Sequence, residues 1–247
     1  MHPLYPHSWP TGWGPGIDPH AFDIWAWFNV VGMAGCICWV VAYVAMIRTA
    51  QRDHANALPM IAIALNFSWE LLASFVFPNP VALWHAFDRI WLLVDVVIVV
   101  QLLRWGRPWQ RIPEIRAHFY PVVAVVFTLG LVGQYTFVAD YPDRLGLVIA
   151  FLINLVMSVM FVIMYLDRRP QLRGISRAGA WFKMLGTLGT SIECHWVVRM
   201  IDPELGGLGF LTFLCVSIFA FDCLYIWLVM RGPALGRLDS TAASAVP

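Results

Sequence analysis

Four acidic side chains, Glu70, Asp95, Glu193 and Asp222, stand inside otherwise apolar stretches. On insertion scales a charge at mid-membrane costs about 2.5–3.5 kcal/mol, so four facing lipid would cost on the order of 10 kcal/mol. They are expected to face a shared interior, and an interior with four acids is a site. A carboxyl in a dry site favours its neutral form and so holds a proton it can give away. Two neighbouring carboxyls would titrate as a unit. Other polar and aromatic residues share the same helix faces. Asn66 lies one turn before Glu70, with Trp69 beside it, and Asp88, Trp91 and Asp95 fall at i, i+3 and i+7. Tyr225 follows Asp222 by three residues.

Each of these residues also has a plainer reading. Gln134, Asn154 and Ser158 are expected to be interhelical hydrogen bonds. Asp88 sits near a helix end, where Arg89 or water would also satisfy it. Glu193, His195 and Arg199 read first as an internal salt-bridge set, although positions 193 and 195 point to nearly opposite faces. Trp25, Trp27, Trp84, Trp105 and Trp109 lie near helix ends, where an aromatic belt explains them. Trp39, Trp69, Trp91 and Trp196 are deeper; their ring faces could stabilise a cation, though packing is the commoner role.

Other chemistries lack their residues. The last apolar run carries Asp222 where a retinal protein needs Lys. There is no Asp-Asp-x-x-Asp pair for magnesium and diphosphate, no Gly-rich phosphate loop, no HExxH and no Cys-x-x-Cys. His54 has no partner at metal-ligand spacing, and no metal or cofactor is expected. The five cysteines (Cys36, Cys38, Cys194, Cys215 and Cys223) fall within apolar stretches and read as buried thiols. No basic stripe interleaved with aromatics suggests nucleic acid.

The elements that position these groups follow from composition. Of 247 residues, 60% are hydrophobic and 13% charged, with a mean hydropathy of +0.70. A domain of this size cannot hide so much apolar surface from water, so its solvent is lipid. Backbone in hydrocarbon must bond to itself, which makes the apolar runs helices of about 20 residues. Seven qualify: Ile24–Ile47, Leu58–Val76, Ala86–Leu103, Tyr120–Val138, Leu145–Leu166, Ala180–Ile201 and Leu208–Met230.

One side holds Arg48, Arg52, Arg104, Arg107, Arg111, Arg116, Arg168, Arg169, Arg173, Arg177, Lys183, Arg231 and Arg237; the other holds Arg89, Arg144 and Arg199. Thirteen cations against three place the amino terminus outside and the carboxyl terminus in the cytoplasm. No cation precedes the first apolar run, so the N-terminus is not expected to be a signal peptide. The expected division is an extracytoplasmic segment at 1–23, which would cover the bundle mouth, a seven-helix domain at 24–231 and a disordered tail at 232–247. Acid placement in runs two and three (Glu70, Asp95) and six and seven (Glu193, Asp222) hints at a 3+1+3 pseudo-repeat with parallel halves.

The segment Asn66-Phe67-Ser68-Trp69-Glu70 resembles the Asn-x-x-Trp-Glu element of the integral-membrane terpene cyclases of meroterpenoid and indole-terpenoid pathways, of which the pyripyropene cyclase is the type member. Asp88-x-x-Trp91-x-x-x-Asp95, Gly186-Thr187 and Asp222-x-x-Tyr225 also look like that family, in order along the whole chain. The resemblance implies a metal-independent cyclase of isomerase or lyase type. It would protonate the terminal alkene or epoxide of a prenylated substrate, a farnesylated indole or other aromatic. Either Glu70 or Asp222 would be the acid, with Asp95, Tyr225 or a water as final base. Asn66, Trp69, Asp88, Trp91, Tyr225, Glu193 and Trp196 would bind substrate or stabilise the cation. The bilayer would dissolve the substrate and keep water from the cation. The Arg-over-Lys bias and Ala-rich tail suggest the bacterial branch and a bacterial cytoplasmic membrane. A small-molecule or proton-coupled transporter is the alternative, since buried acids and parallel halves suit it too.

Overall fold

Buried positions recur at spacings of three and four along the chain, the signature of helices with one inward stripe. In the computed structural model, which describes residues 23–77, 79, 82–141, 143, 146–201 and 209–243 (side chains at 199–201 and 233–243 excepted), this periodicity becomes an all-helical protein. The helices are α1 (Trp27–Asp53), α2 (Met60–Phe75), α3 (Ala82–Trp105), α4 (Pro113–Ala117), α5 (Phe119–Asp140), α6 (Leu147–Asp167), α7 (Arg177–Ile201) and α8 (Gly209–Ala243). The seven long ones overlap the seven expected runs, with α1 and α8 extending beyond them to Asp53 and Ala243, and α4 is a single turn ahead of α5. By length and composition α1, α5, α6 and Gly209–Gly232 of α8 suffice to cross a membrane. The α2 helix is shorter, and α3 and α7 carry more charge.

Two expectations about the termini fare differently. The covering segment at 1–23 falls almost wholly outside the described residues. The stretch 232–243, expected to be disordered, is helical, because α8 runs on to Ala243. Ala, Leu and Arg in that stretch favour helix, which a reading based on its small, polar character overlooked.

Order around the bundle follows from which helices touch. The α1 helix packs on α3 and α7; α2 on α3, α5 and α6; α8 on α6 and α7. The result is a ring in the order α1, α3, α2, α6, α8, α7, with α5 outside against α2 and α6. The sequence α1–α3–α2 is matched by α6–α8–α7, so the two triplets have the same internal adjacency and α5 joins them. Outward faces are apolar, as lipid requires: Leu93, Val96 and Val100 on α3, and Phe210, Phe213 and Val216 on α8, are exposed.

The α1/α7 seam is made by glycine. A Cβ on Gly35 would meet the Gly186 carbonyl oxygen at 2.7 Å, and one on Gly189 would meet the Gly35 Cα at 2.9 Å. Without those side chains the two backbones approach closely, which in lipid is a main source of helix adhesion.

At one end of the bundle, the α1–α2 and α6–α7 connectors are tied together. The Arg168 guanidinium donates to the Asn56 carbonyl and, at 2.8 Å, to Asn56 Oδ1, and the Gly174 amide donates to Asp53 Oδ2 at 2.8 Å. At the other end the Asp143 carboxylate accepts the Val148 and Ile149 amides at 2.9 and 2.8 Å, satisfying the first turn of α6. Burial pushes its pKa up to about 6 against the pull of those amides.

Candidate active site

Inside the ring, α1, α2, α3, α6 and α7 surround a cavity of about 200 Å³. The α2 stripe supplies Asn66, Trp69, Glu70, Ala73 and, beyond its end, Phe77. Four more residues come from α3: Trp84, Phe87, Asp88 and Trp91. Cys36, Trp39 and Tyr43 of α1, Phe151 and Asn154 of α6, and Thr190, Glu193 and Cys194 of α7 complete most of the wall. Aromatic rings dominate it, and three carboxyls (Glu70, Asp88 and Glu193) are set among them. Among the described residues no Lys or Arg lines it.

Glu70 is buried, and among the described residues its Oε2 has no hydrogen-bond partner. The Trp91 indole N–H is likewise buried and unpartnered. An unsatisfied buried polar atom costs about 1–3 kcal/mol, so an apolar cavity that keeps two is shaped for something that arrives with its own polar or reactive group. Trp69 owes its place to Gly146, which has φ +64° ahead of α6. A Cβ there would strike the Trp69 ring, and the left-handed backbone would strain any L side chain. Glu193 is fitted similarly: its carboxyl lies where a Cβ on Gly32 would be. Phe87 and Trp91 pack as tilted rings with centroids 5.7 Å apart, as do Trp39 and Tyr43 at 5.5 Å.

Several residues expected at the site lie elsewhere. Asp95 is buried behind the wall, where Asn66 Nδ2 donates to its Oδ2 at 2.7 Å; Asn66 also donates to the Tyr43 hydroxyl at 2.8 Å. Asp222 is not among the lining residues. Lys183 donates to both its oxygens, at 2.6 and 2.8 Å, and also to Ser158 Oγ at 2.6 Å and Asn154 Oδ1 at 3.0 Å. Lys183, placed by sequence with the cytoplasmic cations, is 1% exposed and turned inward, which leaves twelve on that side. Depth along a helix did not disclose which way it pointed.

Tyr225 is buried against Phe161 at 5.1 Å, and no described side chain of α8 is part of the wall. Trp196, 43% exposed, packs on Trp27 and Phe28 at the first turn of α1. His195 bonds to the Ser191 carbonyl and Thr212 hydroxyl, and the Arg199 side chain is outside the described set. Gln134 makes the expected interhelical bond, donating to the Leu65 carbonyl at 2.9 Å. All five cysteines are free, but only Cys36 and Cys194 are buried, and Cys223 is exposed. Among the described residues no three His, Cys, Asp or Glu side chains converge as a metal set.

One family model matches most of this chain, and known proteins resemble parts of it. The family model of the Pyr4-like transmembrane terpene cyclases matches residues 17–231. Terpene cyclase adrI of Penicillium rubens is 29% identical over 44% of this chain and 45% of its own length. Terpene cyclase macJ of Penicillium terrestre is 27% identical over 69% of this chain and 67% of its own. The Pyr4-family terpene cyclase mfmH of Annulohypoxylon moriforme is 26% identical over 65% and 66%. Against these relatives the chain spans roughly half to two thirds of their length. All three are fungal, so the bacterial expectation gains no support from them. No solved structure matches.

Proposed function

Because this chain belongs to the Pyr4-like transmembrane terpene cyclases, a family of multi-pass membrane proteins, we propose that it cyclises a prenylated aromatic substrate by protonation, with Glu70 as the acid. The supporting observation is the Glu70 oxygen that, among the described residues, has no partner and stands at the wall of an aromatic-lined cavity without cations. A carboxyl buried with no cation beside it keeps its proton, since the charged form would stand unpaired in apolar surroundings. The prenyl chain lies folded among Trp39, Trp69, Phe87 and Trp91. Glu70 gives its proton to the terminal alkene or epoxide. Successive double bonds attack, and the ring faces stabilise the travelling charge. The closing proton leaves to a second carboxyl of the wall, Asp88 or Glu193. One proton enters and one leaves, so the product is an isomer of the substrate, and the reading assigns no metal or cofactor.

Seven crossings with the amino terminus outside belong to the same proposal. The charged helices α3 and α7 stand in the ring beside the apolar ones, and their Asp95, Lys183 and Glu193 are buried within the protein. Farnesylated indoles and other farnesylated aromatics are the substrate class. The test is to feed membranes a farnesylated aromatic: a product of equal mass and changed retention is expected, and none from Glu70→Gln. Unchanged turnover in a folded Glu70→Gln protein would overturn the assignment.

A further inference from the structure

With Glu70 as the proton donor, Asp222 is left without a part in the chemistry, although it is one of the most deeply buried charges in the protein. Both its oxygens accept from one ammonium group, and it does not line the cavity. A carboxyl so held is fully paired and turned away from the cavity.

What the pair touches beyond itself does line the cavity. Lys183 donates to Asn154 Oδ1 at 3.0 Å, which directs the amide nitrogen of Asn154 toward Thr187 Oγ1 at 3.2 Å. The same ammonium lies 5.6 Å from the centre of the Trp39 ring. Trp39 is wedged there by Gly186, where a Cβ would meet its Cδ1 at 2.6 Å. Two wall residues from two helices thus take their orientation from one cation, and that cation is held by Asp222.

We propose that Lys183 and Asp222 are a positioning pair: Asp222 fixes Lys183, and Lys183 sets Asn154 and Trp39 at the cavity wall, shaping the fold of the bound prenyl chain without giving or taking a proton. The Asn66 amide serves Asp95 in the first triplet as Lys183 serves Asp222 in the second, so an acid in this place need not be a catalyst to be required.

The test uses full-length protein in membranes, with a farnesylated aromatic that the parent cyclises. Asp222→Asn alone strands a buried cation and is expected to lose turnover. The paired change Lys183→Met with Asp222→Leu removes both charges. It is expected to stay within about tenfold of parental kcat, with a raised KM and an altered ratio of cyclic products. Asn154→Leu is expected to give the same altered ratio. The exchanged pair, Lys183→Asp with Asp222→Lys, should do likewise, and it decides the matter if the neutral pair does not accumulate. If either double variant elutes and melts like the parent yet is as inactive as Glu70→Gln, the proposal is overturned. Accumulation of neither, while Asp222→Asn accumulates, overturns it as well. If instead Glu70→Gln turns over normally, the proton-donor reading fails, whatever the pair does.

Discussion

The two helix triplets pack alike but hold their acids differently. In α1–α3 a neutral amide, Asn66, links Asp95 to Tyr43, and Glu70 beside it keeps an oxygen free at the cavity. In α6–α8 a cation, Lys183, links Asp222 to Ser158 and Asn154, and the acid is closed off. In the proposed mechanism the same architecture makes one half reactive and the other a frame, and a buried carboxyl's partner, more than its depth, decides whether it donates a proton.

The largest break in this comparison should come from Glu70. Glu70→Gln is expected to cut turnover about a hundredfold to ten-thousandfold, the range for loss of a general acid. Product formation normalised to folded protein is the readout, and Asp95→Asn should cost far less.

Next come the stabilities of the two networks. Asp222→Asn leaves Lys183 buried and unpaired, at a cost of about 3–5 kcal/mol. Asp95→Asn disturbs only a neutral amide's hydrogen bonds, at about 1–3 kcal/mol. Thermal unfolding in detergent should rank them in that order; equal losses would erase the distinction between the halves.

A smaller effect separates the ring from α5. Gly35→Ala drives a methyl into the Gly186 carbonyl and should cost about 1–3 kcal/mol through overpacking. On α5 nothing lies within 4 Å of a Cβ at Gly133, so Gly133→Ala should be neutral or gain about 0.5–1 kcal/mol.

The smallest effect is in pH. Asp143 has a pKa of about 6 in the folded protein and about 3.9 when unfolded. Because the folded value is raised, its contribution is fully present below about pH 4 and is lost as pH rises through about 6. The melting temperature should carry a decline over that window, and Asp143→Asn should remove it.

Much of the first triplet was legible in the sequence. Asn66, Trp69, Glu70, Asp88 and Trp91 all reach the cavity because spacings of three, four and one on neighbouring turns fix a shared face. The second triplet was less so. Lys183 sits on a stripe with Ala180, Thr187, Ser191, Cys194 and Val198, and that stripe was the available sign that it turns inward. Its partner is 39 residues away on another helix, a contact that periodicity does not encode. Trp196 follows Glu193 by nearly one turn, yet α7 crosses α1 there and the ring meets Trp27 instead of the cavity. Adjacency of helices, not the sequence of any one, separated the open acid from the closed one.

Infrared spectroscopy of the purified protein at neutral pH tests that separation without a substrate, because a protonated carboxyl and a carboxylate absorb at different frequencies. The predicted result is a protonated-carboxyl band that weakens in Glu70→Gln. A band that survives Glu70→Gln undiminished would contradict the account.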